Sequence, residues 1–263
     1  MTAADSPVPV RRWRGPLPWW ALAVFAAVGG LSASASFAPF GWAPCAIVAV
    51  AILTWCVRSA HGLGGALIAG ACFGLAFMGT SLIWQTEIMV ASYAGLVAAT
   101  SLVFVGVSAL TWWMRSLPAW PLFAAASWSA SEWVISVFPF GGFGWMRLGY
   151  TQLDTPMAGL YPLVGAAGVT FVVAVLGTLL AAVIQSPGVR SASALVWVVV
   201  AVLAAGGLGS FITPTSHGSV DVGWVQGGAP GGGVYGLGPA RSITYNSRDE
   251  TAALMRRVAA GDV

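Results

Sequence analysis

The sequence predicts an all-α polytopic membrane bundle of about seven transmembrane helices. Of its 263 residues, 58% are hydrophobic and 7% are charged, whereas soluble domains have roughly 25% charged residues. The 34 Gly and 14 Trp residues are typical of membrane helices, in which small residues allow close packing and Trp gathers at the interfaces. This composition argues against a water-soluble fold, a disordered chain and a nucleic-acid-binding surface.

Seven apolar stretches supply the spans, for which a helix needs about 20 residues. They lie at about Trp19 to Ala35, Ala43 to Val57, Gly62 to Trp84, Val90 to Met114, Leu117 to Phe138, Tyr161 to Ile184 and Ala194 to Phe211. The second is short and is compatible with a tilted or partly re-entrant helix. The chain then divides into an N-terminal segment (1–18), a transmembrane bundle (19–212) and a polar tail (213–263).

The Arg residues predict the orientation of the bundle. Three of them precede the first stretch, at Arg11, Arg12 and Arg14, which places the N-terminus in the cytoplasm by the positive-inside rule. Counted alternately, Arg58, Arg115 and Arg190 also fall on the cytoplasmic side, and only Arg147 disagrees. An odd number of spans then places the tail outside the cytoplasm.

An alternative for the N-terminus is a cleaved signal peptide, because Ala33-Ser34-Ala35 resembles a cleavage site. Six further apolar stretches follow it, so an uncleaved first span is the simpler interpretation. N-terminal sequencing distinguishes the two.

The tail has the pattern of the beginning of a folded domain. Residues 219–226 alternate like a strand, residues 227–233 form a Gly-rich loop without the Lys of a phosphate loop, and Ser247 with Glu250 forms a capping-box pair that predicts a helix start. One strand and one helix cannot enclose a core. We therefore expect the tail either to pack against the membrane part or another polypeptide, or to belong to a longer protein of which this chain is a C-terminally truncated version.

Neither Cys nor His residues indicate a metal or a cofactor. Cys45, Cys56 and Cys72 lie inside apolar stretches, and His61 and His217 are isolated. Buried thiols and solvated imidazoles are the simplest interpretation, so no metal ligand, cofactor or disulfide framework is assigned.

Several short motifs occur in a recognisable order. They are Phe37-Ala38-Pro39-Phe40, Glu132-Trp133, Phe138-Pro139-Phe140, Gly149-Tyr150-Thr151-Gln152-Leu153-Asp154 and Val225-Gln226-Gly227-Gly228-Ala229-Pro230. Together they resemble the apolipoprotein N-acyltransferase family of bacterial enzymes, which complete lipoprotein maturation. The resemblance covers nearly the whole chain with matching topology.

The resemblance implies a fold and a reaction. The tail would be the first strand and helix of an incomplete extracytoplasmic α/β nitrilase-like domain, and the protein would lie in the bacterial inner membrane as a monomer. Its partners would be a membrane phospholipid, which donates an acyl chain, and a lipoprotein with an N-terminal diacylglyceryl-cysteine. The family uses a Cys nucleophile, a Glu base and a Lys for the oxyanion.

The catalytic residues that the family requires have no counterpart here. The sequence contains no Lys, its three Cys residues lie in the first half, and Glu250 belongs to the wrong helix for the base. We therefore assign no catalytic residue and expect no transferase activity from this chain alone.

Glu132 is the main candidate site residue within the bundle. A charge in the middle of a span costs about 2.5–3.5 kcal/mol, so this carboxylate should face the interior and find a partner. It either lines a lipid-facing cavity or forms a hydrogen-bonded link that holds the loop 139–149 against the bundle.

The other candidates for substrate and lipid binding lie at the predicted outer face. Gln85 and Glu87 end the third span, and Trp145, Arg147 and Tyr150 lie in the loop 138–154, with Arg147 placed to meet a phosphate. The alternatives are a solvated helix end for the first pair and plain interfacial anchoring for the loop.

Two other classes of function remain as alternatives to the enzyme. A small transporter would have paired broken spans or several intramembrane charges, and the sequence shows neither. A non-catalytic membrane scaffold that binds a lipoprotein or a separate catalytic chain would require no active-site residues.

Overall fold

The structure is a computed structural model that describes residues 17–138, 141–212, 218, 222–228, 238–239 and 241–260. These residues form eight α-helices and no strand. The helices are α1 (Trp19–Ala35), α2 (Pro44–Arg58), α3 (Leu63–Ser81), α4 (Val90–Met114), α5 (Trp120–Val137), α6 (Tyr161–Gln185), α7 (Val189–Gly209) and α8 (Ser242–Ala260). Three short 3-10 helices lie at Ile83–Glu87, Leu148–Gln152 and Pro156–Leu160.

Each predicted apolar stretch forms a helix, from α1 to α7. The largest difference is at α7, which begins at Val189 and not at Ala194. Helix α3 ends at Ser81, before a 3-10 helix, and α5 begins at Trp120, each three residues from its predicted bound. Among the described helices, four are long and apolar enough to cross a membrane, at Leu63–Ser81, Val90–Met114, Pro156–Gln185 and Val189–Gly209. The helical membrane bundle is confirmed, and the count of seven spans stays a prediction.

The chain divides into two compact units. One contains the residues up to Ser81 together with Val97–Ile212, and the other contains Leu82–Leu96 with the residues after Ile212. In the first unit α1 packs on α2 and α3, and α6 packs on α2, α5 and α7. Helix α6 therefore lies at the centre of this unit and supports the helices around it.

An aromatic cluster fills the core between α3, α4 and α5. Phe73, Phe77, Phe104 and Trp128 make ring contacts with centroid distances of 5.3–6.1 Å. Helix α4 reaches this cluster because Gly70 leaves no side chain in the way: a Cβ there would lie 2.5 Å from the Phe104 carbonyl oxygen. Close helix approach through small residues is typical of membrane bundles.

The tail differs from its prediction in one respect and is untested in another. Helix α8 begins at Ser242, not at Ser247, so Ser247 is inside the helix, where its carbonyl oxygen accepts a hydrogen bond from Thr251 Oγ1 at 2.7 Å. The capping-box prediction was wrong because residues 242–246 contain no helix breaker, so the helix extends back to Ser242 and is preceded by Arg241, whose φ is 66°.

Several predictions fall on residues outside the described ranges. These include part of the predicted strand at 219–221, most of the Gly-rich loop, and Arg11, Arg12, Arg14, Phe140 and His217. Residues 222–228 are described and form neither helix nor strand, so the strand, with the nitrilase-like domain that it would begin, stays a prediction.

Candidate functional site

Glu132 lies in the last third of α5 and is 7% exposed. Its Oε1 accepts hydrogen bonds from the Leu148 backbone N–H at 2.8 Å and from Trp128 Nε1 at 3.3 Å. Its Oε2 accepts a hydrogen bond from Thr170 Oγ1 of α6 at 2.7 Å. Both carboxylate oxygens are thus occupied by donors from α5, α6 and the loop that joins them, as a buried carboxylate requires.

The loop residue Gly149 extends this network to α6. Its N–H donates to Thr170 Oγ1 at 2.9 Å, and its carbonyl oxygen accepts from the Tyr161 hydroxyl. A Cβ on Gly149 would lie 2.5 Å from the Ala166 carbonyl oxygen. The loop backbone therefore lies directly against α6, which leaves room only for glycine at this position.

Gln152 fixes the far end of the same loop to α2. Its side chain is 1% exposed, and its Nε2 donates to the Ala43 carbonyl oxygen at 3.2 Å and to Thr151 Oγ1 at 2.7 Å. Thr155 Oγ1 in turn donates to the Gln152 carbonyl oxygen at 2.9 Å. The loop between α5 and α6 is thus held to three helices by buried polar side chains.

A small, open cleft lies beside Glu132. It is lined by Phe77, Phe104, Trp128, Glu132, Ile135, Phe143, Gly144, Met146 and Arg147. Three of the four aromatic core residues form one side of it, and the loop residues form the other. Arg147 Nε is buried, and no hydrogen-bond partner for it occurs within the described ranges. The cleft therefore combines an apolar wall with one guanidinium group that has an unused buried donor.

The structure brings only part of the predicted set together. Glu132 and Arg147 line the cleft, whereas Trp145 and Tyr150 are 63% and 43% exposed on the same loop, with the Trp145 ring 4.8 Å from that of Phe143. Gln85 and Glu87 lie in the 3-10 helix Ile83–Glu87, which belongs to the other compact unit.

Sequence reasoning missed several residues of this network, among them Gln152 and Thr170. Gln152 lies within the motif at 149–154, but the motif does not predict its hydrogen bond to Ala43. Thr170 lies in an apolar helix, where a single Thr carries no signal because its hydroxyl can bond to the backbone of its own helix.

The described residues offer no group for metal binding. No cluster of three or more His, Cys, Asp or Glu side chains occurs in this part of the chain. Cys45, Cys56 and Cys72 are free thiols in α2 and α3.

Comparisons with known proteins agree on one family. The model of the apolipoprotein N-acyltransferase N-terminal domain matches residues 29–179, a range that contains Glu132, the loop and the cleft. The apolipoprotein N-acyltransferase of Coxiella burnetii is 30% identical over 226 residues, which cover 78% of this chain and 45% of that protein. The corresponding enzyme of Ralstonia nicotianae is 34% identical over 192 residues, covering 66% of this chain and 35% of that protein.

A third relative, the apolipoprotein N-acyltransferase of Nitrosomonas europaea, is 30% identical over 157 residues, with 54% of this chain and 31% of that protein covered. The chain thus spans less than half of the length of these relatives. The family model alone matches more than half of the 263 residues, and the relatives extend the similarity beyond it. The chain therefore belongs to the apolipoprotein N-acyltransferase family.

Proposed function

We propose that this chain forms the membrane part of an apolipoprotein N-acyltransferase and binds the phospholipid acyl donor in the cleft beside Glu132. The observation that carries the proposal is the pairing of Arg147, whose Nε is buried without a partner among the described residues, with an aromatic wall. A phospholipid has the matching parts, since a phosphate accepts charge-assisted hydrogen bonds from a guanidinium and acyl chains pack against aromatic side chains.

Glu132 acts in this proposal as a positioning residue. Both of its oxygens accept hydrogen bonds from groups of the protein, namely Leu148, Trp128 and Thr170, so the carboxylate links α5, α6 and the loop. By holding the Leu148 backbone, Glu132 fixes the residue next to Arg147 and keeps the guanidinium at the cleft. Gln85 and Glu87 remain candidates for handling the headgroup or the lipoprotein amine, and Trp145 and Tyr150 for anchoring the loop in the interface.

The proposed setting is the bacterial inner membrane. Seven spans, α1 to α7, with a cytoplasmic N-terminus place the loop between α5 and α6 and the tail on the outer side. The tail then begins the extracytoplasmic nitrilase-like domain that the family resemblance implies. In that topology the loop that lines the cleft and the tail lie on the same side of the membrane.

The reaction itself needs residues beyond these. A Cys thiolate attacks the ester carbonyl of the phospholipid, forms an acyl thioester and releases the lysophospholipid; the lipoprotein amine then attacks the thioester, takes the acyl group and frees the thiol. This sequence contains no Lys, and its thiols lie in the apolar helices α2 and α3. We therefore expect the purified 263 residues to transfer no acyl chain to a diacylglyceryl-cysteine peptide, and measurable transfer would refute this.

A cross-linking experiment tests the cleft. The chain is reconstituted in nanodiscs containing a phosphatidylethanolamine with a photoactivatable acyl chain, and the labelled peptides are mapped by mass spectrometry. Labelling is expected on the cleft residues Phe143 and Met146, which are half-buried, whereas Phe77, Phe104 and Trp128 behind them are almost fully buried.

The Arg147→Gln variant is expected to lose most of this labelling, whereas Arg190→Gln, which removes an exposed Arg, should keep it. Labelling spread evenly over the lipid-facing helices, or unchanged in Arg147→Gln, would contradict the proposal.

A further inference from the structure

A second polar cluster lies where α2 and α6 end, away from the cleft. Arg58, the last residue of α2, donates from Nε to Gln185 Oε1 at 2.6 Å and from its NH1 nitrogen to the Arg115 carbonyl oxygen at 2.8 Å. Gln185, the last residue of α6, donates from Nε2 to the Trp55 carbonyl oxygen at 3.2 Å and to Ser59 Oγ at 3.3 Å. Gln185 thus holds the Arg58 guanidinium in one orientation.

The Arg115 side chain is fixed at the same place by a Trp residue. Its NH1 nitrogen donates to the Trp112 carbonyl oxygen at 2.5 Å, and its Cζ lies 3.6 Å from the centroid of the Trp112 ring. Arg58 Cζ lies 3.8 Å from the Trp120 ring centroid. Cation–π contacts of this kind fix the guanidinium planes but provide no negative charge.

These two guanidinium groups lack an acidic partner among the described residues. The ion pair recorded among the described residues joins Arg248 to Asp249 in α8 and includes neither Arg58 nor Arg115. Each guanidinium has about five N–H donors, whereas the hydrogen bonds above use two of Arg58 and one of Arg115. The two positive charges also repel each other. An anion that accepts hydrogen bonds from both would satisfy the donors and remove the repulsion.

The cluster and the Glu132 cleft lie at opposite ends of the same helices. Helix α5 passes Arg58 at Trp120 and reaches Glu132 twelve residues later, and α6 connects Thr170 to Gln185. At 1.5 Å per residue these paths are about 18 and 22 Å long. Helix α2 runs the same way, from the end held by Gln152 to Arg58. The cluster is therefore a separate site.

The surroundings of the cluster select a lipid over a soluble anion. Trp113 and Leu117, on either side of Arg115 in sequence, are 63% and 42% exposed. Exposed apolar side chains beside fixed guanidinium groups are typical of the level where lipid headgroups meet acyl chains, and basic pockets between membrane helices bind anionic headgroups.

We propose that Arg58 and Arg115 bind the phosphate of an anionic phospholipid at this end of the bundle. Gln185 and Trp120 orient Arg58, Trp112 orients Arg115, and the acyl chains lie along Trp113 and Leu117. The lipid bound here is a structural ligand that neutralises the two Arg residues. This site does not depend on the proposed acyl-donor cleft.

Native mass spectrometry and thermal unfolding of the purified 263-residue chain test this site. In an uncharged detergent the chain is titrated with phosphatidylglycerol, with phosphatidylcholine or with inorganic phosphate. Phosphatidylglycerol is expected to bind and to raise the unfolding temperature more than either of the others. The Arg115→Gln variant should bind phosphatidylglycerol about tenfold more weakly, since it loses a charge-assisted phosphate contact.

Two further variants make the test specific. Arg190→Gln removes an equal charge from an exposed Arg and should keep wild-type affinity. Arg115→Lys keeps the charge but loses the planar guanidinium, so its affinity for phosphatidylglycerol should lie between those of wild type and Arg115→Gln. It replaces Arg115→Gln in the test if that variant fails to fold. The proposal is overturned if Arg190→Gln weakens binding as much as Arg115→Gln, if phosphatidylcholine binds equally well, or if inorganic phosphate alone gives the same stabilisation.

Discussion

The charged groups at the two ends of the membrane bundle differ in their partners. At one end Glu132 receives hydrogen bonds from Leu148, Trp128 and Thr170, all of which belong to the fold. At the other end, Arg58 and Arg115 bond to carbonyl and amide oxygens and keep further donors without any carboxylate among the described residues. A buried carboxylate needs hydrogen-bond donors from the protein because burial removes most of its contact with water, whereas Arg residues at helix ends can receive their anion from the membrane.

The largest expected effect comes from removing the acceptor at the first end. In Glu132→Ala, three donors lose their acceptor while they stay buried, so we expect a loss of about 3 kcal/mol in the free energy of unfolding. Thermal or denaturant unfolding of the purified chain in detergent measures it.

Glu132→Gln is the matched control for that variant. It keeps one oxygen for Leu148 and Trp128 and loses only the acceptor for Thr170, so its cost should be about 1 kcal/mol. If Glu132→Ala is as stable as Glu132→Gln, the hydrogen bonds to the carboxylate do not hold the loop.

The next effect tests how closely the loop lies against α6. Gly149→Ala places a Cβ about 2.5 Å from the Ala166 carbonyl oxygen and must push the loop away from Thr170, with an expected cost of about 2 kcal/mol. The control is Gly106→Ala in α4, where a Cβ meets nothing within 4 Å, so stability should stay the same or rise slightly. Equal behaviour of the two variants would show that the loop can shift without cost.

The helices at the Glu132 end of the bundle could be predicted from the sequence, but the hydrogen-bond partners of Glu132 could not. Apolar length alone located α1 to α7, and the cost of a charge in a span required that Glu132 be buried with a partner. The identity of the partners depends on which helices pack together, and a pattern of apolar residues is the same for many packings. Thr170, which is 38 residues from Glu132 in sequence, could therefore not be predicted as its partner.

The Arg58–Arg115 cluster at the other end could not be predicted from the sequence either. The positive-inside rule explains Arg58 and Arg115 as signals of orientation and attaches no site to them. Their convergence depends on α2, α4 and α6 ending at one level, where Arg58 bonds to both Gln185 and the Arg115 carbonyl oxygen, and spacing along the chain does not reveal this.

A Gln-to-Glu exchange at each end should have effects of different size. Gln185→Glu provides the missing carboxylate to Arg58 but loses the donor to the Trp55 carbonyl oxygen and to Ser59 Oγ, so in uncharged detergent we expect little net change in stability and a weaker response to phosphatidylglycerol. Gln152→Glu removes the donor to the Ala43 carbonyl oxygen and should destabilise the chain. Both are measured by unfolding with and without the lipid. If Gln185→Glu is destabilised as much as Gln152→Glu, the second end needs no anion.

The smallest effect separates two Tyr residues near Gly149. The Tyr161 hydroxyl donates to the Gly149 carbonyl oxygen, whereas Tyr150 is 43% exposed. Tyr150→Phe should change the free energy of unfolding by less than about 0.5 kcal/mol, and Tyr161→Phe should cost about 1 kcal/mol. Unfolding of the two variants side by side measures the difference, since each loses one hydroxyl. A larger loss in Tyr150→Phe would mean that the exposed face of the loop, and not its contact with α6, holds this end together.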